Sequence, residues 1–177
     1  RCKMEIIYKQ LEEIDNNLLD DFLRYQETSY VWYQNGDVYE IKEDHFVDEW
    51  DKGKKQQVIE DLRKCVHNGG AVIGAYSETR LIGFANIEGQ LFGNKYVELP
   101  YIHVSNEYRG LGIGKMLFEH CCEKAKQIGA KKLYIAAHPS VETQHFYKSV
   151  GCTYAEEINP EILAKEPLDI QMEKTLI

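Results

Sequence analysis

Tyr108 to His120 reads YRGLGIGKMLFEH: an arginine, three glycines at alternate positions, then apolar residues at helical spacing. The β-prone run YVELPYIHVS, 96–105, leads into it. A chain that passes from strand to helix through such a bend leaves several N–H groups without carbonyl partners, aimed at one point in space. Glycine permits positive φ there and lets an oxyanion reach the backbone without meeting a Cβ. The bend reads as an anion site; a tight turn that binds nothing is the alternative.

Spacing separates the motifs that compete for this reading. A P-loop requires G-x-x-x-x-G-K-[ST], but Arg109 stands five residues before Gly114, and Met116, which cannot ligate magnesium, follows Lys115. A dinucleotide fingerprint requires G-x-G-x-x-G at a first strand-helix crossing, whereas here the spacing is G-x-G-x-G, deep in the chain. The pattern [Q/R]-x-x-G-x-[G/A] remains, met by Arg109, Gly112 and Gly114. Downstream, a helix ends F-Y-x-x-x-G with Phe146, Tyr147 and Gly151. With both motifs in this order, the sequence resembles the GNAT superfamily of acyl-CoA-dependent N-acetyltransferases. The likeness covers about residues 70–177, and 1–69 fits by its β-α-α layout alone. It implies an α/β (α+β) fold, a mixed and mostly antiparallel central sheet flanked by about four helices, with acetyl-CoA as cofactor and no metal.

Composition is consistent with this. With 177 residues, 44% of them hydrophobic, the chain can bury one good core and is expected to be one domain, 1–177. Net charge is −8 and no Lys/Arg run exceeds two, which argues against a nucleic-acid partner and for a cationic small one. The five cysteines are odd in number and lack a C-x-x-C pair, so free thiols in a reducing cytoplasm are expected. No apolar run approaches bilayer length and RCKMEIIYKQ has no signal-peptide core, so no membrane partner is expected.

Periodicity places the elements. Residues 4–9 read as a strand, 15–27 as a helix carrying Leu18, Leu19, Phe22 and Leu23, and 30–43 as an inserted hairpin turning at Asn35-Gly36. A helix near 54–67 precedes the strands AVIGAYS and LIGFANIEG, then 96–105 as one strand. Helix 112–128, strand KLYIAA, helix VETQHFYKSV and the strands CTYAEEI and LDIQMEKTL complete the chain.

The resemblance implies roles. The N–H groups of Arg109, Gly110, Leu111, Gly112, Ile113, Gly114 and Lys115 would hold the pyrophosphate of coenzyme A. The edge of Ile102, His103 and Val104 would pair with its amide-rich arm like an added strand, and Ile102 N–H would polarise the thioester carbonyl. That last role needs a splay or bulge, with which Pro100 is compatible. Glu98, on the face of Ile102 by period-two alternation, and His138, at the end of KLYIAA, are the alternative bases for the ammonium. His103 points the other way and reads as a core histidine. Tyr147 would donate to the leaving thiolate and contact the cofactor. Tyr30, Trp32 and Tyr33 form either an acceptor wall or aromatic packing that holds the hairpin.

This chain departs from the family pattern at Ser140, where an asparagine is usual, at Thr143, an alanine, and at Cys152, an aromatic. Ser140 either replaces part of the asparagine's cofactor contact or caps the helix after Pro139. The expected activity is transfer of acetyl to a primary amine of a small cationic molecule. A protein lysine or N-terminal amine, a non-catalytic acyl-CoA sensor and a nucleotide-binding protein are the rivals. Relatives commonly pair, so a homodimer is a further expectation.

Overall fold

The computed structural model describes residues 4–177. In chain order the elements are β1 (Ile6–Gln10), β2 (Tyr25–Asn35), β3 (Val38–Glu49), α1 (Lys52–His67), β4 (Ala71–Ser77) and β5 (Arg80–Ile87). There follow β6 (Tyr96–Glu98), β7 (Tyr101–Val104), α2 (Ile113–Ile128), β8 (Lys132–Ala137), α3 (Val141–Ser149), β9 (Thr153–Tyr154), α4 (Pro160–Lys165) and β10 (Ile170–Thr175). One antiparallel sheet has the order β1-β4-β5-β7, a second β6-β8-β10-β9, and β2-β3 form a separate hairpin.

Alternation along β4 and β5 builds a core on each face of the first sheet. Ile73, Ala75, Ile82 and Ala85 meet Ile113, Leu117, Phe118, Cys121 and Ala125 of α2, whereas Val72, Leu81 and Phe84 meet Val58, Ile59 and Leu62 of α1. Each large side chain buried this way contributes about 1.5–3 kcal/mol. Asp51 starts α1 by accepting the Lys54 N–H at 2.8 Å.

The run expected as one strand, 96–105, is two. Leu99 N–H donates to Tyr134 O at 2.9 Å, Pro100 has no N–H, and Tyr101 N–H turns to Asn86 Oδ1 at 3.0 Å. β6 therefore stays parallel with β8 while β7 pairs antiparallel with β5, and the two sheets diverge beyond Leu99.

Three further expectations need correction. Residues 15–27 are successive turns, with Leu18→Asp15, Asp20→Asn17 and Phe22→Leu19 backbone bonds, followed by the start of β2. Leu19 and Phe22 are buried as a helix would have buried them. The Asp and Asn side chains among them favour turns over helix, and Leu23 N–H is drawn off to Ser105 Oγ at 2.9 Å. CTYAEEI yields only the two-residue β9, and α4 follows, started by Pro160 and the Asn159 cap, so the helices are four but not the expected four. The hairpin spans 25–49, more than 30–43, and turns at Gly36 and Asp37.

Candidate active site

The divergence of β7 from β8 opens a cleft of about 500 Å³, a usual size for a small-molecule site. Ile102, His103 and Val104 of β7 and Ala136 of β8 line its length. Arg109, Gly110, Ile113 and Gly114 close one end, and Phe146 and Tyr147 of α3 form a side. Arg24, Asp48, Trp50, His138, Glu142, Glu166 and Asp169 are among the other residues of the wall.

The glycines of the bend have two different reasons to be bare. Gly110 and Gly112 adopt φ of 79° and 81°, which L side chains avoid, and a Cβ on either would stand in open space. Gly114 has no such φ; a Cβ there would lie 3.2 Å from Phe146, so α3 needs the space. Gly112 caps α2 without a side-chain bond, and the helix's first bond runs from Met116 N–H to Gly112 O. The N–H groups of Ile113, Gly114 and Lys115 are thus left for an outside acceptor at the positive end of a helix. A diphosphate such as that of coenzyme A fits this cradle.

β7 ends its sheet, so one edge is unpaired. Tyr101 and Ser105 donate toward β5, to Asn86 Oδ1 and Ile82 O. By alternation the N–H groups of Ile102 and Val104 face the splay, where Val104 O already accepts from Arg109 Nε at 3.3 Å. An extended ligand with amide groups can pair there.

The titratable groups differ in what each can do. Burial pushes the Tyr147 phenol well above its ordinary pKa, as do Cys152 and Asp169 nearby. His138 Nδ1 accepts the Ser140 N–H at 3.1 Å, so Nε2 of the neutral ring donates to Asp48 Oδ2 at 3.1 Å. Burial lowers this histidine's pKa, which keeps the ring neutral at pH 7 with its lone pair already engaged. Burial likewise holds His103 well below its ordinary range, helped by Arg24 and Arg109, with the ring edge-on to Trp50 at 4.7 Å. Asp169 stands out: burial, then Glu166 and Asp48, push it up to about 7.

Among the expected residues, Ile102, His103, Val104, Arg109, Gly110, Ile113, Gly114, His138 and Tyr147 line the cleft. Gly112 and Lys115 belong to the cradle by their backbone, and Leu111 projects outward, 54% exposed. His103, expected in the core, borders the cleft while its ring packs among Phe84, Trp50 and Tyr101.

Glu98 is not on that wall: the break at Pro100 ends the alternation that would have aligned it with Ile102. It lies beside Glu88, with burial raising its pKa. Ser140 is spent on structure, capping α3 through Thr143 N–H and accepting from Gln26 Nε2. Tyr30, Trp32 and Tyr33 are off the wall too. The Trp32 backbone N–H donates to Pro139 O and Lys148 lies over the Trp32 ring, which anchors the hairpin, whereas the Tyr33 hydroxyl donates to Glu40 within the hairpin and Tyr30 is half-exposed. Its base, through Gln26, Asp48 and Trp50, is what reaches the cleft.

Cys65, Cys121, Cys122 and Cys152 are free thiols with pKa values raised by burial, Cys65 and Cys122 to about 11 and Cys152 to about 12, which suits inert packing and not nucleophilic attack. Cys2 lies outside the described residues. Among the described residues no cluster of three or more His, Cys, Asp or Glu could hold a metal ion, and no helix is long and apolar enough to cross a membrane.

A strand pair that splays beside a glycine-capped helix is a site made for an extended ligand with an anionic end. The chain matches the sequence model of the acetyltransferase (GNAT) family over residues 35–152 and belongs to that family. Among curated proteins, none matches it. Solved structures share the fold. A Bacillus anthracis protein assigned as a streptothricin acetyltransferase, in complex with acetyl coenzyme A, superposes with a TM-score of 0.73 at 17% identity, covering 98% of this chain and 100% of its own. Nourseothricin acetyltransferase gives 0.71 at 17% identity, covering 97% and 99%. An aminoglycoside 6'-N-acetyltransferase complexed with coenzyme A gives 0.55 at 18% identity, covering 67% and 79%.

Proposed function

We propose that this acetyltransferase moves acetyl from acetyl-CoA to a primary amine of a small molecule, by direct attack with both substrates bound. The observation that carries the reading is that the bare helix start, the free edge of β7, Tyr147 and Asp169 all border one cleft. The relatives that act on nourseothricin, streptothricin and aminoglycosides support a small-molecule acceptor. The four free thiols suit a reducing compartment, and we assign the activity to the cytoplasm.

When bound, acetyl-CoA supplies an acyl group activated as a thioester. The amides of the bend would hold its diphosphate, and the Ile102–Val104 edge would pair with its arm. Ile102 N–H would give the acyl oxygen a donor that needs no charge of its own. Asp48, Glu166 and Asp169 attract the ammonium of the acceptor, and Asp169, with a pKa near working pH, takes its proton. Tyr147 donates to the departing sulfur. Its raised pKa keeps the proton in place until thiolate charge develops, so it acts chiefly as a hydrogen-bond donor.

Thiol release from acetyl-CoA, followed across a panel of amines, tests the reading. With a turned-over amine, Tyr147→Phe is expected to lower kcat by about 10- to 100-fold while CoA affinity and Tm hold, and Glu98→Gln to stay within about threefold. Full kcat in Tyr147→Phe would remove the donor role. Tight CoA binding with no thiol release for any amine would make the chain a sensor instead.

A further inference from the structure

Arg24 has no part in the chemistry above. It is 8% exposed and lines the cleft, and its Nε and Nη1 are shut off from solvent without a hydrogen-bond partner. Its guanidinium lies over the Trp50 ring at 5.8 Å. The adjoining backbone is pinned at both sides, by Leu23 N–H to Ser105 Oγ at 2.9 Å and Trp50 N–H to Arg24 O at 3.1 Å. The backbone at this position is therefore fixed, and burial beside Trp50 keeps the guanidinium out of water.

Buried charges are ordinarily paired, and a guanidinium presents a planar fork that fits a carboxylate. Asp48, whose field reaches Arg24, accepts its hydrogen bond from His138 Nε2 and makes none to Arg24. Arg109 and Lys54 border the same cleft and add positive charge. Asp48 offsets the charge of Arg24 and Glu142 that of Arg109, but neither bonds the Arg24 guanidinium, whose Nε and Nη1 are left for an acceptor that the protein does not supply.

We infer that Arg24 receives a carboxylate carried by the acceptor, which makes the acceptor an amphoteric amine with both an ammonium and an acidic group. The inference rests on the acetyl-transfer reading for where the amine lies. Asp48 lines the cleft together with Arg24 and Asp169, so one molecule bound there can place its carboxylate on Arg24 and its ammonium at Asp169. An oxyanion of coenzyme A is the other source of the same chemistry. Arg109, in the glycine bend, is the arginine that serves that end.

Matched pairs that differ by a carboxylate provide the test: lysine with cadaverine, ornithine with putrescine, tyrosine with tyramine. Each is titrated by calorimetry into the protein saturated with CoA, which reads binding without turnover. In at least one pair the acid is expected to bind about tenfold or more tightly than its decarboxylated partner. Arg24→Gln should bring that pair level while leaving CoA affinity unchanged; since the substitution removes an unpaired buried charge, Tm should hold or rise. The inference is overturned if the decarboxylated members bind as well as the acids, if no pair binds, or if Arg24→Gln weakens CoA tenfold, which would give the oxyanion to the cofactor. Thiol release from acetyl-CoA with the same pairs separates the two readings. An acid preference in binding with no release sinks acetyl transfer and leaves the Arg24 site standing.

Discussion

Asp169→Asn is expected to lower kcat/KM for the acceptor by about 100- to 1000-fold with CoA affinity unchanged, the range for loss of a general base. The amide keeps the shape of the side chain and cannot take a proton. In the wild type, kcat/KM should rise through a step near pH 7 as Asp169 ionises, and the variant should lack that step. Stability supplies a second readout with a definite sign. The folded pKa, about 7, is above the ordinary carboxylate value, so the fold favours the neutral acid. That contribution is complete below about pH 4 and is lost as pH rises through 7. Asp169→Asn, neutral throughout, should melt close to the wild type at pH 4 and up to about 10 °C above it at pH 8. A variant with unchanged kcat/KM and no altered pH profile would return the base role to another group.

Gly112→Val is expected to weaken coenzyme A binding by at least about 100-fold. At φ 81° a β-branched residue is strained, at a cost of about 1–3 kcal/mol. Its side chain would also stand in the open space over the helix start, where an oxyanion must come close to the amides. Gly114→Ala is the informative contrast: its Cβ would press on Phe146, so it should lose stability by about 1–3 kcal/mol and less CoA affinity than Gly112→Val. Calorimetric titration with CoA and thermal melts of both variants check this. Wild-type affinity in Gly112→Val would mean that the bend holds no diphosphate.

The acceptor side of the cleft was far less legible than the cofactor side. Arg24, Asp48, Glu166 and Asp169 lie at separate points of the chain, in a turn, a hairpin, a helix end and the approach to the last strand, and none carries a local signature. The aromatics of 30–33 are conspicuous by composition, yet Trp32 is spent on docking the hairpin against Pro139 and Lys148, and Tyr33 on bracing it internally through Glu40. Glu98 failed as a cleft residue through one assumption, that alternation continues through Pro100. His138 reached the cleft, but its Ser140 and Asp48 bonds occupy both ring nitrogens.

The glycine bend, the helix behind it and most of the succession of elements along the chain were present in the sequence, because backbone freedom and apolar periodicity are local properties that spacing records. So was the family. The opening of β7 from β8, the near-neutral Asp169 and the unpaired Arg24 were decided only in three dimensions. A strand's partner, a carboxyl's burial and an arginine's missing counter-ion depend on which distant residues fold against it, and local spacing carries no record of them.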